Sequence, residues 1–170
     1  MHSNTQNKKN LTLTEIMPPE KANFGGNIFG GYLMELLDRA AYACAARYSG
    51  CYVVTLSADQ ILFREPIHVG ELVSFLASVN HVGRSSMEIG IKVTAENLTS
   101  GVIRHTNTCY FTMVALDENH RPTPVPALSL NTTDEKRRFE EACFRKQQRQ
   151  KFDQLHQDHK ATLKKRYSRN

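Results

Sequence analysis

Asp38 is the residue of this sequence whose surroundings best suit acid–base chemistry. It directly follows Leu36 and Leu37, inside an apolar stretch that has the composition of a helix. A carboxylate on a helix that packs against protein is partly removed from water, and this suits it to accept a proton. A structural ion pair or a simple exposed position would also fit Asp38. The sequence therefore makes it a candidate general base with a structural alternative.

A Gly- and Asn-rich segment, from Asn23 to Gly31, precedes this stretch. Gly30 and Gly31 fall at the predicted start of the helix, where backbone N–H groups have no intrahelical acceptor and the dipole is positive. Since no side chain blocks the approach, a carbonyl oxygen could reach these amides as in an oxyanion hole. Alternatively, the glycines only permit a sharp turn. The segment does not fit a phosphate-binding Gly motif, since no Gly-Lys-Ser/Thr follows it.

A third feature is the basic, hydroxyl-rich turn Gly83-Arg84-Ser85-Ser86. Arg84, Ser85 and Ser86 could hold a phosphate through charge-assisted hydrogen bonds. The same tetrapeptide also fits an ordinary hairpin tip.

Other familiar catalytic sets are not visible in the sequence. The four cysteines lack Cys-x-x-Cys spacing, and no His or Cys pair lies beside a second pair, so we expect no metal site. The histidines lie in different segments without a flanking nucleophile motif, which argues against a Ser-His-Asp or Cys-His site.

The elements that must position these residues can be predicted from hydrophobic periodicity. Residues 11–17 alternate as a first strand, and residues 32–48 form a helix with apolar residues in nearly every direction. Four β-type segments follow, at about residues 52–63, 71–81, 85–97 and 102–116, with short turns typical of an antiparallel meander. A helix that is apolar all round must be surrounded by protein. One sheet achieves this by curling around it, so we predict an α+β hot-dog fold. The alternative is a two-layer α+β sandwich, which would leave the helix half exposed and need a polar stripe; the residues that could supply one are Glu35, Asp38, Arg39 and Arg47.

Composition and charge bound the remaining possibilities. The chain has 170 residues, of which 40% are hydrophobic and 23% charged, as in a globular domain with an extension. No apolar run approaches the ~18–20 residues of a membrane span, and the N-terminus lacks the apolar core of a secretory signal. We therefore expect a cytoplasmic protein without a membrane partner. The predicted parts are a flexible N-terminus (1–10), the hot-dog domain (11–127) and a basic helical extension (128–170).

The extension carries the positive charge of the chain. Residues 131–170 hold 12 Lys and Arg against 6 Asp and Glu, whereas the rest of the chain is close to neutral. Thr132 and Glu135 fit a capping box at the start of a helix. Acidic residues are interspersed and no aromatic–basic stacking pattern occurs, which favours a solvated face over nucleic-acid binding.

Together, these motifs resemble the acyl-CoA thioesterases of the hot-dog superfamily, in particular the YciA-type enzymes and the brain (cytosolic) acyl-CoA hydrolases. The resemblance spans about residues 12–145. The matching positions are Asn23, Gly26, Gly30-Gly31, Asp38, Val53-Val54-Thr55, Phe63-x-x-Pro66-Ile67-x-x-Gly70, Gly83-Arg84-Ser85-Ser86-Met87-Glu88-Ile89 and Arg104-His105-Thr106-Asn107.

The resemblance implies hydrolysis of acyl-CoA to CoA and a fatty acid, without metal or organic cofactor. It implies that Asp38 is the catalytic carboxylate, as general base or nucleophile, and that Asn23 joins it from a neighbouring subunit. A homodimer is then the minimum assembly, and a trimer of dimers, a hexamer, is expected. Arg84, Ser85 and Ser86 are the candidate contacts to CoA. The alternative is a non-catalytic acyl-CoA sensor on the same fold.

Overall fold

The computed structural model describes residues 8–167 of the chain. The elements in chain order are β1 (Asn10–Ile16), a 3-10 turn (Pro19–Lys21), α1 (Gly30–Ser49), β2 (Tyr52–Ala58), β3 (Leu72–Val82), β4 (Ser86–Glu96), β5 (Ile103–Leu116) and α2 (Thr133–Tyr167). Of the predicted flexible N-terminus, residues 1–7 lie outside the described residues. Lys9 is buried, and its Nζ donates to the Ser129 carbonyl at 2.9 Å.

The five strands form one antiparallel sheet in the order β1-β3-β4-β5-β2. The predicted meander is confirmed for β3, β4 and β5. For β2 the prediction was wrong, because this strand ends at Ala58 and pairs with β5 at the edge of the sheet. Residues 59–71 then connect β2 to β3. Pro66 in this connection has no backbone N–H and cannot donate a hydrogen bond to a neighbouring strand, which is consistent with the absence of a strand there.

The sheet curls around α1, which contacts all five strands, and the predicted hot-dog fold is confirmed. α1 buries a face of leucines, alanines and Cys44 against the sheet. The sheet contributes large buried side chains, among them Phe75, Ile91, Phe111 and Met113. Gly50 ends the helix in the left-handed conformation (φ 70°), and its N–H donates to the Ala46 carbonyl at 2.8 Å.

One face of α1 is exposed, contrary to the prediction of a helix surrounded on all sides. Gly31, Glu35, Asp38 and Tyr42 are exposed and recur at helical spacing, so they form one stripe along the helix. The five-stranded sheet covers one side of the helix and leaves this stripe uncovered among the described residues.

The chain divides into two compact units after Ser129. In the second unit, the predicted capping box is confirmed: the Glu135 N–H donates to Thr132 Oγ1 at 3.1 Å, and Glu135 Oε2 accepts from the Thr132 N–H at 3.3 Å. Along α2, exposed pairs such as Arg137–Glu141 (2.8 Å) follow i,i+4 spacing. No helix within residues 8–167 is long and apolar enough to cross a bilayer.

Candidate active site

A short hydrogen bond joins Asp38 on α1 to Thr55 on β2. Thr55 lies on the same face of β2 as the buried Val53, the face turned toward α1. Its Oγ1 donates to Asp38 Oδ1 at 2.6 Å and lies 3.5 Å from the sulfur of Met113. Within residues 8–167, Asp38 Oδ2 has no hydrogen-bond partner. One carboxylate oxygen is therefore fixed by the protein, while the other can interact with a ligand or water.

In the single chain Asp38 is exposed, so the predicted withdrawal of its carboxylate from water is not observed there. The reason is its place in the uncovered stripe of α1. Its neighbour Arg39 pairs instead with Glu35 at 2.6 Å, which leaves Asp38 outside any ion pair of the described part of the chain. Any burial of Asp38 must come from a second molecule.

The loop before α1 fixes the side chain of Asn23 through its carbonyl oxygen. Asn23 Oδ1 accepts from the Gly25 N–H at 2.9 Å and from the Asn27 N–H at 3.2 Å. Gly26, at φ 82°, donates to the Asn23 carbonyl at 3.0 Å and closes the turn. Because Oδ1 is engaged, the orientation of the amide is determined, and Nδ2 points outward with no acceptor among the described residues.

The two glycines at the start of α1 keep their N–H groups available. Tyr32 and Leu33 donate to the carbonyl of Phe29, the residue that precedes the helix, whereas the Gly30 and Gly31 amides have no acceptor in the described part of the chain. A Cβ on Gly31 would lie 2.3 Å from the Phe29 ring, so this position is a glycine because the ring lies against it. At Gly30 a Cβ would lie 3.8 Å from the Phe63 ring, an ordinary van der Waals contact, so there is room for a side chain at this position.

These amides and Asp38 are too far apart to act on one carbonyl group within a chain. Gly31 and Asp38 are seven residues apart on the same helix, which places them about 11 Å apart along its axis. An oxyanion donor must lie about 3 Å from the reacting oxygen. Within one chain, the glycine amides and the Asp38 carboxylate therefore lie at separate places.

The Arg84-Ser85-Ser86 turn is the tip of the β3–β4 hairpin, where the Gly83 N–H donates to the Ser86 carbonyl at 2.7 Å. Ser86 pairs with Val114, and Val114 pairs with Val54. Since Val54 and Thr55 point to opposite faces of β2, Ser86 lies on the face turned away from Asp38. The structure does not bring this turn to Asp38 within a chain.

Sequence reasoning gave Thr55 no role, and it missed a group of polar residues beside the Asn23 loop. Glu71 is 4% exposed, and both its oxygens accept from Arg104 Nη2, at 2.7 and 2.9 Å. Glu71 Oε2 also accepts from the His68 N–H at 2.8 Å. Burial alone would raise the pKa of Glu71, but these donors outweigh it and lower the pKa below its usual value. His68 in turn contacts Asn27, with 2.9 Å between Nδ1 and Oδ1.

The cysteines take no part in this region. Burial raises the pKa of Cys44 and Cys109 to about 12, so both are protonated thiols at neutral pH. Among residues 8–167, no three His, Cys, Asp or Glu side chains are grouped as metal ligands would be.

Comparison with known proteins identifies the class. The family model described as "Thioesterase superfamily" matches residues 25–102, and protein VdlD of Helicobacter pylori is 47% identical over 145 residues, covering 85% of this chain and 83% of VdlD. A crystal structure of an apo-hexameric acyl-CoA thioesterase superposes with a TM-score of 0.83 at 35% identity, covering 86% of this chain and 94% of that one. The chain therefore belongs to the thioesterase superfamily.

A Staphylococcus aureus acyl-CoA hydrolase, solved with butyryl-CoA and CoA, is similar as well, with a TM-score of 0.83, 27% identity, and coverage of 92% of this chain and 96% of that one. It has also been solved with alanine in place of an asparagine, an aspartate and a threonine, which lie 15 and 17 residues apart in that order. Asn23, Asp38 and Thr55 have the same two spacings in this chain.

Proposed function

We propose that this protein hydrolyses the thioester of acyl-CoA to CoA and a carboxylic acid, with Asp38 as its central catalytic group. The observation that carries the proposal is the contact of Thr55 with Asp38, which holds one carboxylate oxygen at 2.6 Å and leaves the other free. The shared spacing with the S. aureus hydrolase supports it, since that protein was altered at three matching residue types.

In the proposed reaction Asp38 acts as a general base. Oδ2 accepts a proton from water as the water oxygen bonds to the thioester carbon. The carbon–sulfur bond then breaks, its electron pair passes to sulfur, and the proton moves from Asp38 to the thiolate. Thr55 keeps the carboxylate in one orientation throughout, and positioned proton transfer of this kind is worth about 10²–10⁴-fold in rate. Water and protein groups suffice, so the reaction as proposed needs no cofactor.

Direct attack by Asp38 is the other route that the free oxygen permits. Asp38 would form a mixed anhydride, expel the CoA thiolate and be regenerated by water. A single turnover in heavy-oxygen water is the first test of the two routes. Heavy oxygen in the Asp38 carboxylate, detected by mass spectrometry of the peptide, would show an anhydride whose Asp38 carbonyl carbon is attacked by water, whereas the general-base route labels only the released acid. Attack of water on the acyl carbon of the anhydride also labels only the acid, so hydroxylamine is added as a second test, because it traps the Asp38 anhydride as a hydroxamate.

The site as proposed is completed by a second chain. The Gly30 and Gly31 amides hold the developing oxyanion, and losing one good donor of this type costs about 3–4 kcal/mol. The Gly31 amide lies about 11 Å along the helix from Asp38, and Asn23 lies in the loop before the helix. In this proposal a partner therefore supplies both to each Asp38. Asn23 Nδ2, which has no acceptor in the described chain, would orient the water or the carboxylate.

The surface around Asp38 suits such a partner. β2 is an edge strand beside the exposed stripe of α1, and Leu56 on it is 68% exposed. An edge strand offers unpaired backbone N–H and C=O groups to another chain, and contiguous exposed apolar side chains mark interaction surfaces. Large exposed apolar side chains near this edge and the helix start include Phe29, Tyr42, Tyr52 and Phe63.

We extend the proposal to a cytoplasmic trimer of such dimers, in which Arg84, Ser85 and Ser86 contact the phosphates or adenosine of CoA from a neighbouring chain. Their place on the far face of the sheet supports a role toward another chain rather than toward Asp38 of their own.

The experiment is release of free thiol from acetyl- to palmitoyl-CoA, followed with a thiol-reactive dye. Asp38→Asn keeps the size of the side chain and should lose at least about 10³-fold in kcat with an unchanged melting temperature. Glu35→Gln, one turn earlier in the same exposed stripe, is the matched control and should keep wild-type turnover. A folded, fully active Asp38→Asn protein would refute the proposal, and saturable binding without turnover by the wild type would favour an acyl-CoA sensor.

A further inference from the structure

The tip of the Asn23 loop is held by hydrogen bonds rather than by packing. Phe24, next to Asn23, is fully exposed, and Gly25 and Gly26 follow it. Ile28, directly after the turn, is buried, but none of residues 23–27 is. The polar contacts within this glycine-containing turn therefore determine which of its conformations is populated.

Asn27 is the main internal contact of Asn23. The Asn23 N–H donates to the Asn27 carbonyl at 2.6 Å, and the Asn27 N–H donates to Asn23 Oδ1 at 3.2 Å. A displacement of Asn27 therefore displaces both the backbone and the side-chain amide of Asn23.

His68 fixes Asn27 from the connection between β2 and β3. With the Asn27 amide oriented as in the structure, Oδ1 faces His68 Nδ1 at 2.9 Å, and this orientation assigns the proton of the neutral ring to Nδ1. The backbones of Asn27 and His68 also form an isolated antiparallel bridge. The His68 ring thus contacts the loop from outside it.

The backbone of His68 is itself immobilised. Its N–H donates to Glu71, which is buried and paired with Arg104 on β5. Arg104 also donates to the Pro66 carbonyl at 3.2 Å. Arg104 on β5 therefore binds one acceptor on each side of His68 in sequence, the Pro66 carbonyl and the Glu71 carboxylate. A rigid path of contacts runs from β5 through His68 to Asn27.

We propose that His68 is a positioning residue for Asn23: its Nδ1–H holds Asn27, and Asn27 holds the Asn23 amide in the orientation that catalysis uses. The inference rests on the catalytic role proposed for Asn23. His68 itself touches neither substrate nor water in the reaction. The hydrogen bond between His68 and Asn27 is a single, solvent-exposed one. It therefore affects the geometry of the Asn23 loop more than the free energy of unfolding.

The test is a double-mutant cycle on the full-length protein, using the thioester that it hydrolyses fastest in the acetyl- to palmitoyl-CoA panel. His68→Leu, which removes the Nδ1 donor, should lower kcat about tenfold or more and leave KM within about twofold, because misplacing one catalytic group affects the chemical step. His68→Asn, whose side-chain amide can donate from nearly the place of Nδ1, should restore most of the loss. His159→Leu on α2 is the matched control and should behave as wild type.

The cycle separates positioning from general damage to the fold. In an Asn23→Ala background, assayed at higher enzyme concentration, His68→Leu should change kcat by less than about twofold, since the group that it positions is gone. Two outcomes would overturn the role of His68 and leave the role of Asn23 intact. One is that the two losses in kcat add in the double variant, and the other is that His68→Leu keeps a wild-type kcat while Asn23→Ala is impaired. A wild-type kcat for Asn23→Ala would instead overturn the proposed role of Asn23, and the inference with it.

Discussion

The two ends of the exposed face of α1 are held in different ways. At the helix start, Asn23 is fixed by several bonds from its own chain, which continue through Asn27 to a buried ion pair. At mid-helix, Asp38 has one hydrogen bond, to Thr55, and is otherwise open to solvent. The comparison teaches that the loop of Asn23 is preorganised by its own chain, whereas the Asp38 carboxylate is held at one oxygen only. In the site that we propose, a neighbouring chain supplies the rest of the environment of Asp38.

The strongest test of this division mixes two impaired proteins. Asp38→Asn and Asn23→Ala chains, exchanged in mild denaturant and reassembled, should recover up to about one quarter of wild-type turnover, because half of random dimers are mixed and each contains one intact site. Thiol release measures the recovery, and native mass spectrometry verifies the exchange. Mixed oligomers without activity would show that each site uses one chain.

A charge on the edge strand tests the neighbour's contribution more directly. Leu56→Lys should dissociate the dimer, since burying a lysine costs far more than the ~2 kcal/mol that a buried leucine contributes. Turnover should fall about a hundredfold at low protein concentration and rise again with concentration. Light scattering reports the mass, and a monomer with full activity would contradict the shared site.

Breaking the ion pair between Glu71 and Arg104 tests how the chain itself supports the Asn23 loop. Glu71→Gln should lower the free energy of unfolding by about 3 kcal/mol at neutral pH, because Arg104 loses its buried partner. Glu65→Gln, which alters the exposed carboxylate 3.5 Å from the same guanidinium, is the control and should cost under about 1 kcal/mol.

The pH dependence of this difference follows from the lowered pKa of Glu71. The folded protein binds this proton less readily than the unfolded chain, so the stabilisation is complete above the ordinary value of 4.5 and is lost as pH falls through the lower folded value. Denaturation curves at several pH values should show the wild-type advantage shrinking below about pH 4.5. If the difference in unfolding free energy between wild type and Glu71→Gln did not change with pH, the destabilisation would come from packing and not from the charge of Glu71.

The smallest expected effect concerns Thr55. Thr55→Val removes the donor but keeps the shape, and should reduce kcat about tenfold without affecting assembly, as the loss of one positioning hydrogen bond of about 1–1.5 kcal/mol. Thr55→Ser retains a hydroxyl and should restore most of the rate. If Thr55→Val were as active as wild type, the orientation of Asp38 would have to come entirely from the partner.

Local signals explain why much of this was predictable. Periodicity identified β1, α1, β3, β4 and β5 to within a few residues, and the capping box marked the start of α2. Asp38 stood out as a carboxylate in an apolar helical stretch, and Asn23 and the glycines stood out as part of a Gly- and Asn-rich segment before it. Thr55 did not, since a threonine is an ordinary strand residue until its register brings it to Asp38.

The sequence by itself determined the apolar helix, the curled sheet and the residue types that could handle a thioester, because these depend on short-range spacing. The tertiary structure decided which of them meet. Contacts that span many residues, Thr55 with Asp38, His68 with Asn27 and Arg104 with Glu71, arise only when β2 takes the edge beside β5 and residues 59–71 cross to β3. It also decided that Asp38 is open to solvent, since the five strands cover one side of the helix and leave the stripe from Gly31 to Tyr42 exposed.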